Sequence, residues 1–414
     1  MSATAMPEFF DPSVLEDPFD WYREALSRGP IARAGGGTVR MVLSHKHVSE
    51  AAGRHEDFSS DFGAVMKGNR EADEEISAIE AQGWPQVDTM LTADPPRHTR
   101  FRKLVNLAFS MPRVNAMDAE IRGIVDDLLD GLEERDTVEI VHDLAVPLPV
   151  TVIARQIGME DNVGDVKRWS DAFADRLGGM ADREREIQCA REVLEFQQAV
   201  KRKIDMRRDH QGPDDLLSAI VNARVEGEKP LDDAEILSIV QQLMVAGNET
   251  TTSTLAGGLL LLIRNPDQLA KLRADRKLIP NAVEEMLRML SPVGGLWRVA
   301  TREAELGGET IAPGEMIMLR FGAANRDPAV FPDPDRFDVE RKNARSHLAF
   351  GRGIHMCVGN MLSRKELAVA FEALLDRYDA FELPEGANDF RHSPNRLLRG
   401  LLKLNVRLRK RVAA

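Results

Sequence analysis

The chain has 414 residues, long enough for two or three average domains or for one large helical domain with a substantial core. Hydrophobic residues at 43% and charged residues at 29% are ordinary for a globular protein. A net charge of −12 argues against general nucleic-acid binding, because a protein that tracks phosphates carries a basic excess.

The N-terminus, MSATAMPEFFDPSVLEDP, has prolines and acids where a secretory signal needs an apolar stretch. The longest apolar run, LAGGLLLLI, is far short of the roughly 20 residues that cross a bilayer. No membrane association is expected, and the protein is expected in the cytoplasm. DPFDWYREAL sets a proline at a helix start with apolar residues at helical spacing, and TVRMVL reads as a short strand. The spans 121–132 and 183–208 keep the 3.6-residue period of a helix. Cys189, in REREIQCAREVLEF, is one of two cysteines and reads as a helix-core residue; a disulfide with Cys357 is not expected in a reducing compartment.

The span 231–264 lies between Pro230 and Pro266 and contains no proline. About 30 helical residues would run about 45 Å, enough to cross a whole domain. Its centre breaks the pattern: Gly247, Asn248, Glu249, Thr250, Thr251 and Thr252 are all poor choices for the buried middle of a helix. Such clusters are common at kinks, and a central acid is costly to bury alone. By itself the stretch reads as a polar patch facing solvent.

In EEMLRML, Glu285 and Arg288 stand at i and i+3, opposite the apolar face of Ala282, Val283, Met286, Leu287 and Leu290. Periodicity alone makes them a solvated ion pair. Strand signals return in 304–319, where ELGGETI and EMIML flank the turn Ala312-Pro313-Gly314. No repeat, low-complexity tract or linker interrupts the chain, so residues 1–414 are expected to form one mainly α domain with small β-sheets.

FGRGIHMCVG, residues 350–359, places Cys357 among glycines and beside His355. Glycines permit tight turns and close backbone approach, which a loop needs if it is to hold one sulfur against a flat ligand. A zinc site would need further cysteine or histidine ligands at finger spacing, which are missing. A nucleophilic dyad of Cys357 and His355 is conceivable, although no third orienting group is evident.

This loop resembles the haem-binding loop of the cytochromes P450, Phe-Gly-x-Gly-x-His-x-Cys-x-Gly. The resemblance extends over nearly the whole chain. AGNETT resembles the family's central-helix motif Ala-Gly-x-Glu/Asp-Thr, EMLR its Glu-x-x-Arg motif, ANRDPAVFPDPDRFD the meander that follows, and ADPPRHTRFRKL the helix over one haem edge. The implied fold is that of a cytochrome P450, a large helical domain with small β-sheets.

The resemblance implies that Cys357 is the axial thiolate ligand of a haem b iron, with Phe350 packed near the sulfur and Gly359 closing the loop. A thiolate ligand donates electron density to iron and favours O–O cleavage. His98, Arg102, Arg298 and His355 are implied partners of the two propionates. Ala246 and Gly247 would leave room on the distal side, Thr250 would hydrogen-bond near the reacting oxygen, and Glu249 would relay protons. Glu285, Arg288 and Arg336 become a buried structural network, overriding the solvated pair that periodicity gives.

The implied walls of the substrate pocket are the segment 62–91 with Met244, Ala246, Gly247, Val293, Gly294, Leu296, Trp297, Leu397 and Leu398. They are mainly apolar, so an apolar small-molecule substrate is expected; terpenoids, steroids, fatty acids and aromatic compounds all remain open. The implied reaction inserts one oxygen atom of O2 into that substrate, usually as a hydroxylation. Electrons would come from NAD(P)H through a ferredoxin reductase and a ferredoxin, since no fused reductase domain is expected. Arg97, Arg100, Lys103, Arg352, Arg364 and Lys365 would form a basic docking face, and a monomer is expected. A peroxide-driven enzyme typically replaces the acid and alcohol pair, and a haem-binding sensor does not need it; Glu249 and Thr250 count against both. Met356, Val358, Asn360 and Ser363 stand where leucine, leucine, alanine and alanine are frequent, differences that bear on reduction potential rather than ligation.

Overall fold

Apolar residues at helical spacing dominate the chain, and the structure is accordingly mainly helical. It is a computed structural model that describes residues 6–63, 73–210, 212–392 and 395–411. The helices that build the site are α1 (Arg97–Asn106), α2 (Pro147–Gln156), α3 (Val163–Gly178), α4 (Arg183–Asp205), α5 (Asp233–Arg264), α6 (Ile279–Leu290) and α7 (Asn360–Arg377). Among the described residues no helix is long and apolar enough to cross a membrane.

Helix α5 is the axis of the molecule and packs against α2, α3, α4, α6 and α7. It starts at a capping box in which Asp232 accepts from the Glu235 N–H and the Glu235 carboxylate accepts from the Asp232 N–H. The polar centre does not break it: the helix runs unbroken for 32 residues. Three of the hydroxyls there are turned back on the helix itself, while Thr251 meets the Ser363 hydroxyl at 3.2 Å and Thr252 donates to the Ala145 carbonyl at 2.9 Å. Thr250 donates to the Ala246 carbonyl at 2.7 Å, Ser253 to Glu249 at 2.7 Å and Thr254 to Thr250 at 2.8 Å. Most of α5 is buried, yet Ala246 and Gly247 are exposed, because that side of the helix borders a cavity.

A five-stranded sheet flanks the helices, with strands β1 (Ile31–Ala34), β2 (Val39–Val42), β3 (Phe58–Ser59), β4 (Leu296–Ala300) and β5 (Met316–Leu319) in the order β1-β2-β5-β4-β3. Only the β2–β5 pairing is parallel. Alternation along β4 sends Leu296 and Arg298 to one face and Trp297 to the other. Leu296 faces the cavity, while Trp297 stacks on Phe10 with ring centroids 6.3 Å apart, so it is not the pocket wall the sequence suggests.

The face of α6 that periodicity assigns to solvent is covered by the segment 325–341, and Glu285 and Arg288 are both fully buried. Arg288 donates Nε and Nη2 to the two Glu285 carboxylate oxygens at 2.7 and 2.8 Å. Its other bonds reach the carbonyls of Asn325, Pro334 and Arg336 at 2.9, 2.7 and 3.3 Å. Arg336 therefore contributes its backbone alone, and its side chain is exposed. The second cation of the network is Arg341, whose Nε donates to Glu285 at 2.9 Å.

The neighbouring acid, Glu284, organises a second network. Against the effect of burial, His347 and Arg364 hold its carboxyl down at about 2. Arg364 bonds Glu284 at 2.8 Å, lies 4.4 Å over the Phe350 ring and donates to the Asn360 side chain at 2.6 Å. Asn360 in turn donates to the Cys357 carbonyl at 2.7 Å. Two adjacent acids on α6 thus fix the segment that carries the cysteine. Asn360 thus links Arg364 to the cysteine loop.

Candidate active site

The site is a cavity of about 330 Å³ bordered by α1, α2, α3, α5, β4, the cysteine loop and the late turn at Leu397 and Leu398. Cys357 lines it, together with Phe350, His355 and Gly359. The loop is held by a bond from the Cys357 N–H to the Phe350 carbonyl at 2.9 Å. Gly353 is required there: its φ is +74°, and a Cβ would come within 2.5 Å of the Ala52 carbonyl oxygen. Burial pushes the Cys357 thiol up, while the Gly359 N–H and the guanidinium groups of Arg102 and Arg364 favour the thiolate. Among the described residues no cluster of three or more His, Cys, Asp or Glu side chains could hold a metal ion.

One end of the cavity carries buried cationic and donor groups. Neither ring nitrogen of His98 has a hydrogen-bond partner among the described residues, nor does Nε2 of His355. The two rings lie 4.3 Å apart, and Nδ1 of His355 is 3.0 Å from the Met90 carbonyl. Burial, then Arg298 and His98, push His355 down to about 3. Burial lowers Arg298 to about 10 against the pull of Asp94, and it also lowers Arg102. No ion pair to Arg102 or Arg298 exists among the described residues, and Arg298 donates only to the Trp297 carbonyl at 2.7 Å. Buried donors without acceptors are costly, so this is a seat for an anion. Arg102, His355 and Cys357 line the cavity, and His98 and Arg298 stand behind His355; this donor set and thiol fit haem, whose iron the thiolate would take and whose propionates the cationic end would meet.

On α5, Ala246, Gly247, Thr250 and Thr251 line the cavity, and nothing lies within 4 Å of a Cβ built at Gly247. Glu249 does not line it. Its carboxylate points to α3, 3.9 Å from Lys167 Nζ, which also pairs with Asp171. Burial raises the Glu249 pKa against the nearby Lys167 ammonium, and Asp171 and Asp175 raise it further.

Val293, Leu296, Leu397 and Leu398 line the cavity as the sequence suggests. Met244 does not: it is fully buried on the core side of α5, and Leu243 and Val245 take its place. Gly294 faces Arg320, whose Nη2 would lie 2.8 Å from an added Cβ, so it opens no space over the cavity. Of the wall 62–91, Gly63, Gln86, Asp88, Met90 and Leu91 reach the cavity, while 64–72 lie outside the described residues.

The six cations read as a basic face are mostly spoken for. Arg100 is bidentate to Glu235 at 2.7 and 2.9 Å, Lys103 pairs with Glu228 at 2.8 Å and Lys365 with Asp118 at 2.9 Å. Arg364 is turned inward to Glu284, which leaves Arg97 and Arg352 exposed. Around the same loop, Leu107, Met111, Met356 and Met361 are exposed apolar residues.

Sequence reasoning missed Glu366, a fully buried acid on α7 that lines the cavity. The signal was available, since an acid stands where α7 turns its apolar residues inward. Burial pushes its carboxyl up to about 8, and the Thr251 hydroxyl pulls the other way. An acid whose folded pKa lies above its unfolded value stabilises fully below the unfolded pKa, and that contribution is lost as pH rises through the folded one. The window here runs from 4.5 to about 8. Glu366→Gln is expected to gain stability over the wild type across it, reaching roughly 3–5 kcal/mol at the upper end. Thermal unfolding at pH 5 and pH 8 checks this; identical pH dependence in both proteins would mean that the acid is not held neutral.

A family model described as Cytochrome P450 matches residues 162–406. The chain is similar to 6-deoxyerythronolide B hydroxylase of Saccharopolyspora erythraea, 41% identical over 77% of this chain and 78% of the relative. It is also similar to cytochrome P450 monooxygenase PikC of Streptomyces venezuelae, 35% identical over 98% of this chain and 96% of the relative. Among solved structures, cytochrome P450 CYP109Q5 from Chondromyces apiculatus superimposes with a TM-score of 0.85 at 32% identity, covering 98% of this chain and 99% of that one.

Proposed function

The chain belongs to the cytochrome P450 family of haem monooxygenases, and from that premise we propose that it hydroxylates an apolar small organic molecule with electrons from a ferredoxin and its NAD(P)H-dependent reductase. The observation that carries this reading is that Cys357, Arg102, His355 and Thr250 share one cavity whose remaining walls are mainly aliphatic and aromatic. The haem supplies reductive activation of O2 when bound through Cys357.

The chain's own residues do the rest. Ala246 and Gly247 keep α5 thin where it borders the cavity, leaving space for small reactants. Thr250 holds a hydroxyl proton at Oγ1 and, through its lone pairs, can accept another. Glu249, whose carboxylate faces Lys167 on α3 and lies outside the cavity, would pass protons from that side toward the hydroxyl by turning its side chain. Val293, Leu296 and Leu398 orient the substrate by shape and exclude water. Its source class, terpenoid, steroid, fatty acid or aromatic, is fixed by a binding screen. On the cysteine side, Arg97 and Arg352 offer charge and the four exposed apolar residues offer contact area to an acidic iron–sulfur carrier.

Thr250→Val tests the oxygenase reading. Shape is kept while donor and acceptor are lost, so haem content, substrate affinity and reduction by the partner are expected to change little. Product formed per NAD(P)H is expected to fall roughly tenfold, with released hydrogen peroxide making up the difference. A variant as well coupled as the wild type would count against the role given to Thr250, and a haem-loaded wild type that forms no product would favour a haem-binding protein without turnover.

A further inference from the structure

The last turn of α3 carries Phe173, Arg176 and Leu177, spaced i, i+3 and i+4, and all three line the cavity. Arg176 is out of place among apolar neighbours. Its side chain is nine-tenths buried, with 10% of its surface exposed. Nη1 donates to Glu80 at 2.8 Å, and Nε lies 3.4 Å from Glu186 outside hydrogen-bonding geometry. Nη2 is buried and has no acceptor among the described residues. Two other polar residues of the wall are used internally: buried Gln156 bonds Glu120 and the Leu216 N–H, and half-buried Asp88 accepts from Thr92.

A tether between α3 and its neighbours explains the Glu80 and Glu186 contacts but not the unused arm. An arginine brings five N–H donors, and leaving both on Nη2 together with the one on Nε buried without acceptors is costly. A methionine or leucine would fill the same space at no such cost. The two carboxylates also decide what the arm can recognise. They already compensate the guanidinium charge, so an incoming carboxylate would meet two like charges, whereas a neutral oxygen needs only the N–H.

Resting on the monooxygenase reading above, we propose that Arg176 determines specificity by donating a hydrogen bond from Nη2 to a neutral carbonyl oxygen, that of a ketone, ester or lactone, on an otherwise apolar substrate. The substrate class is thus a carbonyl-bearing hydrocarbon skeleton rather than a free fatty acid or a pure hydrocarbon.

The test uses the haem-loaded protein and four probes, dodecane, dodecan-2-one, dodecan-6-one and dodecanoate, with binding read as the Soret shift and by calorimetry. In the wild type at least one ketone is expected to bind roughly five- to tenfold tighter than dodecane, and dodecanoate no tighter than that ketone. Arg176→Met keeps an unbranched stem, so dodecane affinity is expected to hold while the ketone preference disappears. A wild type without a ketone preference, or one that binds dodecanoate best, overturns the proposal. So does an Arg176→Met variant that keeps the preference or loses affinity for dodecane and ketone alike, since the latter marks a structural tether. If Arg176→Met does not load haem, Arg176→Leu replaces it, and an undiminished preference there overturns the proposal equally. A wild type that binds no haem through thiolate would instead sink the family-level reading, a failure the carbon monoxide spectrum distinguishes.

Discussion

Arg288→Ala is expected to lose about 3–5 kcal/mol of stability and to fail to hold haem. The first part follows from what the guanidinium satisfies. Removing it strands the Asn325 and Pro334 carbonyls, each at a cost of about 1–3 kcal/mol where water cannot replace the donor, while the Arg336 carbonyl keeps the Arg341 Nη2 donor at 2.8 Å. Glu285 keeps Arg341 and the Asp338 N–H, at 2.9 and 3.1 Å, so it is not left as an isolated charge. The face of Phe331, 5.2 Å from the guanidinium carbon, loses its cation as well.

The second part follows from where these contacts lead. Asn325, whose carbonyl binds Arg288, accepts from the Leu348 N–H through its side chain at 2.6 Å, two residues before the loop that carries Cys357. Loosening Asn325 therefore loosens the approach to the sulfur. Arg288→Lys is expected to recover only part of the loss, because a single ammonium cannot span Glu285 and three carbonyls in fixed directions. Arg336→Ala is expected to stay within about 0.5 kcal/mol of the wild type, since only its carbonyl takes part. Chemical denaturation and haem content of the three variants check this order. Near-native stability and full haem in Arg288→Ala would restore the solvated pair that periodicity suggests.

That pair shows where sequence reasoning runs out. Periodicity measures which face of α6 is apolar, and it cannot see that a polar face will be roofed by another stretch of chain. Only the motif's resemblance to a family put Glu285 and Arg288 inside. The same limit explains Arg336 and Arg341. Both are arginines in one irregular segment, and no period in a meander tells which side chain turns inward. In β4 the two-residue alternation was readable, and it separates Leu296 from Trp297 once Leu296 is known to face the cavity. Met244 failed for a related reason: α5 is apolar nearly all round, so its sequence marks no single face for the cavity.

The cysteine loop was legible because its requirements are local. A positive φ at Gly353, close approach to Ala52 and a thiol aimed at a cavity restrict residue types at fixed spacing. Glu284 and Arg176 were invisible because each acquires its role from partners dozens of residues away, whereas Glu366 was marked by its place on the apolar face of α7. Arg364 was misread as a docking cation for the same reason, since its partner Glu284 lies on another helix.

Cys357→His is expected to abolish thiolate ligation altogether, an all-or-none effect. Every other proposed role in the site depends on that sulfur: the propionate seat would orient a group that Cys357 would anchor, and Thr250 would work in a cavity that the anchored group completes. The second cysteine provides the control. Cys189 is fully buried in α4, away from the cavity, and burial raises its thiol to about 11, so it has neither the position nor the ionisation of a ligand. The direct measurement is the absorption spectrum of the reduced, carbon monoxide-treated protein. The wild type and Cys189→Ser are expected to show the strongly red-shifted Soret band of a thiolate haem, and Cys357→His to lack it. The same band in Cys357→His, or its absence from the haem-loaded wild type, would contradict the assignment of Cys357 as the iron ligand.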